Sequence, residues 1–387
     1  MAMSLHRGFS SRSGKQHTDI GLMSMMQCDT PMYDDFVGEF VATHAQPGSA
    51  PVVGLARKFC ASWPRPAVRA DTECAGVGRA GSEHGGSEHT DSEHTDSEHT
   101  DSEFAAPEHT GSDDAGPEPA DPDEAGTVRV GVMDSSFNPP HYCHGAYMEC
   151  LAIMELMPAG GARGQQARVL GIDAFLLLLG SENADKPLRG SSLEQRMRMV
   201  DMLATTVVQD TTADTWHLWK SRAQFDASNL HNMAIGMVNS PRFVDKCKAV
   251  SDVVRREWDA QRPPHERGPA PRVLSYFAMG WDTLIRVFDA KYYADYPREL
   301  DAFFRGGGRI AYSRRVGFPD ADVDAFFARP ETAPYLQYIF ELKLPKRVKH
   351  ICSSNVRVAV RDSTQSVRDI PPRILEFVNN YQLYRNE

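Results

Sequence analysis

The stretch that decides this chain runs from Val128 to Met157, "VRVGVMDSSFNPPHYCHGAYMECLAIMELM". Its opening, "VRVGVM", is a short valine-rich run with the pattern of a buried strand. The polar turn after it, from Asp134 to Pro140, ends in two prolines that hold the backbone extended and suit the entry to a helix. The spacing of Met148, Leu151, Ile153, Met154 and Met157 then predicts a helix over Gly145–Met157. His141 and His144 stand three residues apart at its mouth, on one face. Free backbone N–H groups at a helix start attract anions, and imidazoles there add directed donors for a phosphate and for charge that develops on it. Two other readings of the pair are ordinary turn histidines and a zinc site. The second finds too few placed ligands, because Cys143 has no partner pair.

Working outward, the same texture repeats. "AFLLLLG" (174–180) predicts a strand, and "SLEQRMRMVDMLATTV" a helix with Leu193, Met197, Val200 and Leu203 along one face. "NMAIGMV" (232–238), "RVLSYFAMG" (272–280), "GRIAYS" (308–313) and "VKHICSS" (348–354) predict further strands, with helical segments between them. Apolar strands alternating with helices predict an α/β fold with a Rossmann-like, doubly wound parallel sheet. Ligands of such sheets bind outside the carboxyl ends of the strands. One such end reads "ICSSNVRVAVRD". Its serines and asparagine cap a helix and leave N–H groups for phosphate oxygens, and Arg357 follows one turn later with a guanidinium fork. A capped surface helix would carry the same residues. "FFRGGGRIA" lacks the Gly-Lys-Ser/Thr of a phosphate loop and reads as a tight turn before a strand.

The rest of the chain bounds the class. Apolar residues make up 41%, enough for a sizeable core, and no stretch approaches membrane-span length. Seven scattered cysteines without a CxxC pair argue against a disulfide framework or zinc ribbon and for a reducing compartment, cytoplasmic or nuclear. Arg7, Arg12 and Lys15 among serines weakly resemble a mitochondrial transit peptide, but the segment reads better as a tail. Residues 82–124 hold 15 of the 52 acidic side chains and no Lys or Arg, so the remainder, with 42 basic against 37 acidic, is mildly positive. That balance suits phosphate-bearing small molecules and is too weak to argue for nucleic acid. Within this tract "SEHGG", "SEHTD", "SEHTD" and "SEHTD" count in fives, offer nothing to bury, and predict a disordered acidic spacer over 82–126. Residues 1–81 are poorly defined by sequence. "YDDFVGEFVATHA" predicts an amphipathic helix there, and "VVGLARKFCASW" a second, short one. The globular domain is expected over 127–387.

The two strand ends, taken together and in order, resemble a known family. "SSFNPPHYCH" looks like the (T/S)-F-(D/N)-P-x-H-x-G-H signature of the nucleotidylyltransferase superfamily, and "ICSSNVR" like its I-S-S-S-x-x-R signature. "NADKPLRGSSLEQRMRMV", "FAMGWDTLIRVF" and "DIPPRILEFVNNYQLY" add resemblance to the nicotinamide and nicotinate mononucleotide adenylyltransferases, particularly a fungal branch. The resemblance implies adenylyl transfer from ATP to the mononucleotide, giving a pyridine dinucleotide and pyrophosphate without a covalent enzyme intermediate. It implies that His141, His144 and Arg357 act on the reacting phosphates. Ser136, Phe137, Asn138, Gly280, Asp282, Ser353 and Ser354 would hold ATP, and Lys186 the mononucleotide phosphate. Trp281 would stack the nicotinamide, with Tyr292 and Tyr293 as other candidates. Mg²⁺ would arrive through the ATP phosphates, since no carboxylate cage is visible and the protein itself offers no metal site. The other reading is a family member that keeps the nucleotide site, binds or hydrolyses ATP, and acts through protein interactions. Two positions depart from the broad pattern. Cys143 replaces a glycine, and Asp134-Ser135 stand in a turn that is usually glycine-rich. A carboxylate at 134 beside a triphosphate needs Mg²⁺ or a base to neutralise it.

Overall fold

The computed structural model describes residues 30–44, 48–65, 126–153, 155–158, 168–169, 171–182, 190–209, 227–314, 319–362 and 367–385. Lys186 and the acidic tract lie outside them. Six parallel strands form the centre of the sheet: β2 (Thr127–Ser135), β5 (Ala174–Gly180), β6 (Met233–Val238), β7 (Arg272–Gly280), β8 (Gly308–Ser313) and β9 (Ile339–Glu341). Their spatial order is β6-β5-β2-β7-β8-β9. Counted along the chain that is 3-2-1-4-5-6, the order whose reversal point lies between the first and fourth strands. Here that crevice opens between the ends of β2 and β7. β1 (Val53–Lys58) adds an antiparallel edge beside β6, and β3 (Glu155–Pro158) and β4 (Arg168–Val169) continue antiparallel beyond β9.

Strand alternation sends side chains to two cores. From β5, Phe175, Leu177 and Leu179 enter one and Ala174, Leu176 and Leu178 the other, all fully buried. The first core is covered by α1 (Thr30–His44), α2 (Tyr142–Ala152), α3 (Leu193–Gln209), α8 (Ser353–Asp362) and α9 (Pro372–Asn380). The second is covered by α4 (Phe243–Ala260), α5 (Trp281–Val287), α6 (Tyr296–Arg305) and α7 (Asp320–Phe327). Gly307 shows why the triple glycine is a turn. Its φ is +102°, and a Cβ there would stand 2.2 Å from the Val273 carbonyl oxygen.

The expected strands at 174–180, 272–280 and 308–313 form over those same residues, and α1 covers the expected N-terminal helix as far as His44. Four expectations change. "VVGLARK" is a strand rather than a helix; Gly54 and a bulge between Leu55 and Arg57 break the alternation that would have marked it. Because β1 pairs with β6, and α1 buries Tyr33, Val37 and Phe40 in the first core, the folded unit draws on residues well before 127. The helix after the first turn ends at Ala152, and Met157 lies in β3. "VKHIC" is a pair of turns closed by Val348 N–H to the Pro345 carbonyl and Ile351 N–H to the Val348 carbonyl. Its central Lys349 and His350 do not suit a strand buried on both faces, and β9 fills the place in the sheet.

Candidate active site

β2 delivers Asp134 and Ser135 to the crevice, and the turn Ser136–Pro140 carries the chain into α2. Phe137 adopts a left-handed conformation, φ 43°, which costs a non-glycine residue about 1–3 kcal/mol. Full burial of its ring, 4.9 Å from the ring of His144, offsets that cost. His141 is the N-cap of α2 and His144 its third residue. Their rings stack with centroids 3.7 Å apart and planes 17° from parallel, each about 5% exposed. The His141 backbone N–H donates to Nδ1 of His144 at 3.1 Å. An Nδ1 that accepts a hydrogen bond carries no proton, so the ring proton of His144 sits on Nε2, 3.3 Å from Ser135 Oγ. The ring is thereby held as a donor aimed at the end of β2.

The second motif closes on the first across 214 residues. Ser353 Oγ donates to the Pro139 carbonyl at 3.0 Å, and Arg357 Nη1 donates to the Asn138 carbonyl at 2.8 Å. The start of α8 therefore faces the start of α2 over the turn. From below, Arg196 is 1% exposed and grips the carbonyl and hydroxyl of Ser191 at 3.0 and 3.1 Å. It also reaches the Ser136 carbonyl at 3.4 Å. Ser191 Oγ donates to Asn138 Oδ1 at 2.9 Å and accepts from the Tyr384 hydroxyl at 3.0 Å. A chain of hydrogen bonds thus runs from the last described turn, at Tyr384, to the Ser136–Pro140 turn.

A cavity of about 660 Å³ lies between the two motifs, lined by Ser136, Asn138, His141, His144, Gly280, Ser353, Ser354 and Arg357 among others. It brings together all three expected catalytic residues and five of the seven expected ATP contacts. Cys143 lines it too, so the thiol takes up space at the cavity wall. Arg286, Lys349, Thr283 and Ser313 also line it and were not singled out from sequence. Lys349 stands four residues before Ser353 and Arg286 one turn after Asp282, so proximity to the motifs was the available signal. Two expected contacts sit elsewhere: Phe137 is buried behind His144, and half-buried Asp282 is not among the lining residues.

A second cavity, about 270 Å³, shares Asp134, Ser135, Ser136, Thr283 and Arg286 with the first. Phe243, Lys246, Arg242, Glu182, Tyr292 and Tyr293 line the remainder. The expected stacking residue Trp281 is not there. It is 1% exposed, with its ring against Phe326, Phe327 and Tyr312 at 5.2, 5.7 and 5.6 Å. At the start of α5 its side chain turns into the second core, so an aromatic next to a site glycine here serves packing. Tyr293 and Tyr292 are the ring-bearing residues that face the cavity with Phe243. Burial raises the Tyr293 phenol well above its usual range, and it donates to the Val287 carbonyl.

The base that Asp134 requires is Lys246 of α4. Its Nζ lies 2.6 Å from Asp134 Oδ2, with the two side chains 6% and 9% exposed. Among the described residues no group of three His, Cys, Asp or Glu side chains is placed to hold a metal. No described helix is long and apolar enough to cross a membrane.

No family model matches the chain. A Schizosaccharomyces pombe protein named "Putative nicotinamide mononucleotide adenylyltransferase" is 27% identical over 268 residues, covering 66% of this chain and 86% of that protein. Two solved structures align with TM-scores of 0.40 and 0.34, each at 12% identity over 67% of this chain and 98% of theirs. The first is a Plasmodium falciparum nicotinic acid mononucleotide adenylyltransferase complexed with APC, the second a Vibrio parahaemolyticus protein titled "Putative Nicotinate-nucleotide Adenylyltransferase". At those scores the fold assignment rests on the strand order of this chain itself. The likeness first visible in two short motifs thus extends, in the S. pombe protein, over 66% of the chain.

Proposed function

We propose that this protein is a nucleotidyltransferase that joins ATP to nicotinamide or nicotinate mononucleotide, forming the dinucleotide and releasing pyrophosphate. The observation that carries the reading is the clasp of Ser353 and Arg357 onto the Asn138–Pro139 turn. It sets two helix N-termini, two histidines and an arginine around one cavity at the reversal point of the sheet, with a smaller aromatic-lined cavity adjoining. A polyphosphate suits the larger space, because N–H groups, Arg357, Lys349 and Arg286 converge there. A flat ring on a sugar phosphate suits the smaller one, walled by Phe243, Tyr292 and Tyr293.

In this arrangement an oxygen of the acceptor phosphate attacks the α-phosphorus of ATP. The new P–O bond forms as the bond to the β-phosphate bridging oxygen breaks, and pyrophosphate leaves with the electron pair. No protein nucleophile is needed, so positioning and charge neutralisation carry the rate. His144 donates from Nε2 to an oxygen that gains charge at the reacting phosphorus, and His141 backs it at the same helix mouth. Arg357 with Ser353 and Ser354 holds the leaving phosphates from the α8 side. Lys186 is assigned the acceptor phosphate by the motif resemblance alone. Mg²⁺ enters as part of the substrate, bound to the triphosphate and water.

The test is incubation with ATP, Mg²⁺ and nicotinamide mononucleotide, with separate detection of dinucleotide. Its formation is expected, and the nicotinate form is the second acceptor to try. Absence of dinucleotide with either acceptor removes the reading.

A further inference from the structure

Asp134 and Lys246 form a buried ion pair in the floor where the two cavities meet. Asp134 lines both cavities and Lys246 the smaller one. A buried pair of this kind roughly cancels its own desolvation cost and is weak evidence for stability, so its position calls for another account. The position is unusual in charge as well. Among the residues that line the larger cavity, Asp134 is the one carboxylate, in a wall otherwise furnished with arginines, a lysine and histidines.

The donors of Lys246 supply that account. An ammonium carries three N–H donors. Among the described residues the hydrogen bond of this one goes to Asp134 Oδ2, at 2.6 Å, and Nζ lies 5.1 Å from the centre of the Phe243 ring. Neither contact occupies the other two donors. Arg242, the other cation of the smaller cavity's α4 side, is already committed to Asp245 at 2.7 Å and Glu299 at 2.6 Å. Three of the five Arg242 donors hold it at that carboxylate pair, whereas Lys246 is bonded to Asp134 at the shared floor with two of its three donors uncommitted. On the functional reading above, the acceptor's ring occupies the smaller cavity and its phosphate must reach the shared floor at Asp134–Ser136 to meet ATP. That is where Lys246 stands.

We propose that Lys246 binds the phosphate of the mononucleotide acceptor, and that Asp134 is the positioning residue that anchors its ammonium at the junction. The inference rests on the functional reading and adds a phosphomonoester contact that the sequence motifs do not include. The anchor also explains how an aspartate is tolerated beside a triphosphate. Lys246 neutralises it, and a phosphate that shares the same ammonium is drawn to a fixed point rather than repelled.

The test compares binding of nicotinamide mononucleotide with binding of nicotinamide riboside, which lacks only the phosphate. Wild-type protein is expected to prefer the phosphorylated ligand. Lys246→Met is expected to lose on the order of 30-fold or more of that preference, with riboside affinity little changed. Since Lys246→Met leaves Asp134 buried and unpaired, the folded control is the double variant Asp134→Asn/Lys246→Met, in which both charges are gone. The double variant should bind the mononucleotide better than Lys246→Met does, yet keep the reduced preference for phosphate. A double variant with the wild-type preference overturns the proposal, as does equal loss of both ligands in Lys246→Met. Dinucleotide formation by wild-type protein is measured in the same series. If wild type turns over and the variants keep their preference, only this inference falls; if wild type binds no mononucleotide, it falls together with the functional reading.

Discussion

The two cavities are built in opposite ways. Most of the larger one comes from two short runs, Met133–Tyr147 and Leu344–Arg357, locked together by hydrogen bonds between a serine, an arginine and a proline-containing turn. The smaller one takes its wall from the ends of β2, β5 and β6, from both α4 and α5, and from the turn at Tyr292 and Tyr293. Phosphate recognition relies on backbone N–H groups at helix starts, so its residues cluster in sequence around strand-to-helix turns. A ring is held by side chains that converge from separate elements, and no local pattern marks them.

The contrast can be broken by substitution, and the largest effect is expected in the larger cavity. His144→Ala should lower kcat by about 10²–10⁴-fold, the range for a directed donor at a reacting phosphate, in protein that still folds, although loss of the buried ring that accepts the His141 N–H lowers its melting transition. Activity close to wild type would remove His144 from the chemistry. Next comes Trp281→Ala, which on its burial should destabilise the fold by roughly 3–5 kcal/mol in denaturant titration without a selective change in acceptor KM. A selective rise in acceptor KM with intact stability would return Trp281 to the site. In the smaller cavity, Tyr292→Ala should raise the acceptor KM by about 10-fold while the KM for ATP holds, consistent with loss of one aromatic contact. Equal changes in both would merge the two cavities into one functional unit.

Smaller effects sharpen the comparison. Tyr384→Phe removes one hydroxyl from the chain that runs through Ser191 to Asn138. A drop in kcat of a few-fold is expected, since a single neutral hydrogen bond contributes about 0.5–1.5 kcal/mol. No change would mean that Arg196 and Ser191 hold the turn unaided. Deletion of residues 82–124 should leave turnover nearly unchanged, because their composition offers nothing to bury. A large loss in steady-state rate would give the acidic tract a part in the reaction.

What was legible in the sequence follows from the same physics. Strands buried on both faces are near-continuous apolar runs, so "AFLLLLG", "RVLSYFAMG" and "GRIAYS" declared themselves to the residue. The edge strand β1 did not, since its alternation is broken by a bulge and most of its side chains are only partly buried. The turn before α8 read as a strand because Val348 and Ile351 are apolar and buried. Their three-residue spacing is that of a turn, however, and the polar pair between them gave warning. Histidines, serines and Arg357 of the larger cavity were named correctly as neighbours because the motif order and strand contexts placed them at one sheet edge. Trp281 was misplaced because an aromatic beside a site glycine looks the same whether it turns outward or inward. Nothing in the sequence separates Arg196 from a solvated arginine on an amphipathic helix, and only tertiary structure shows it buried beneath the turn. Lys246 was invisible, one of two lysines on an amphipathic helix. Asp134, read as a charge in need of a partner, was the one clue pointing to it.

The most direct measurement is the ratio of products from ATP, Mg²⁺ and nicotinamide mononucleotide, with dinucleotide and pyrophosphate quantified in the same reaction. The account predicts equal amounts of the two, rising together and both dependent on the mononucleotide. Pyrophosphate or orthophosphate released without dinucleotide would contradict it, and would mean that the clasped cavity binds ATP for hydrolysis rather than for transfer.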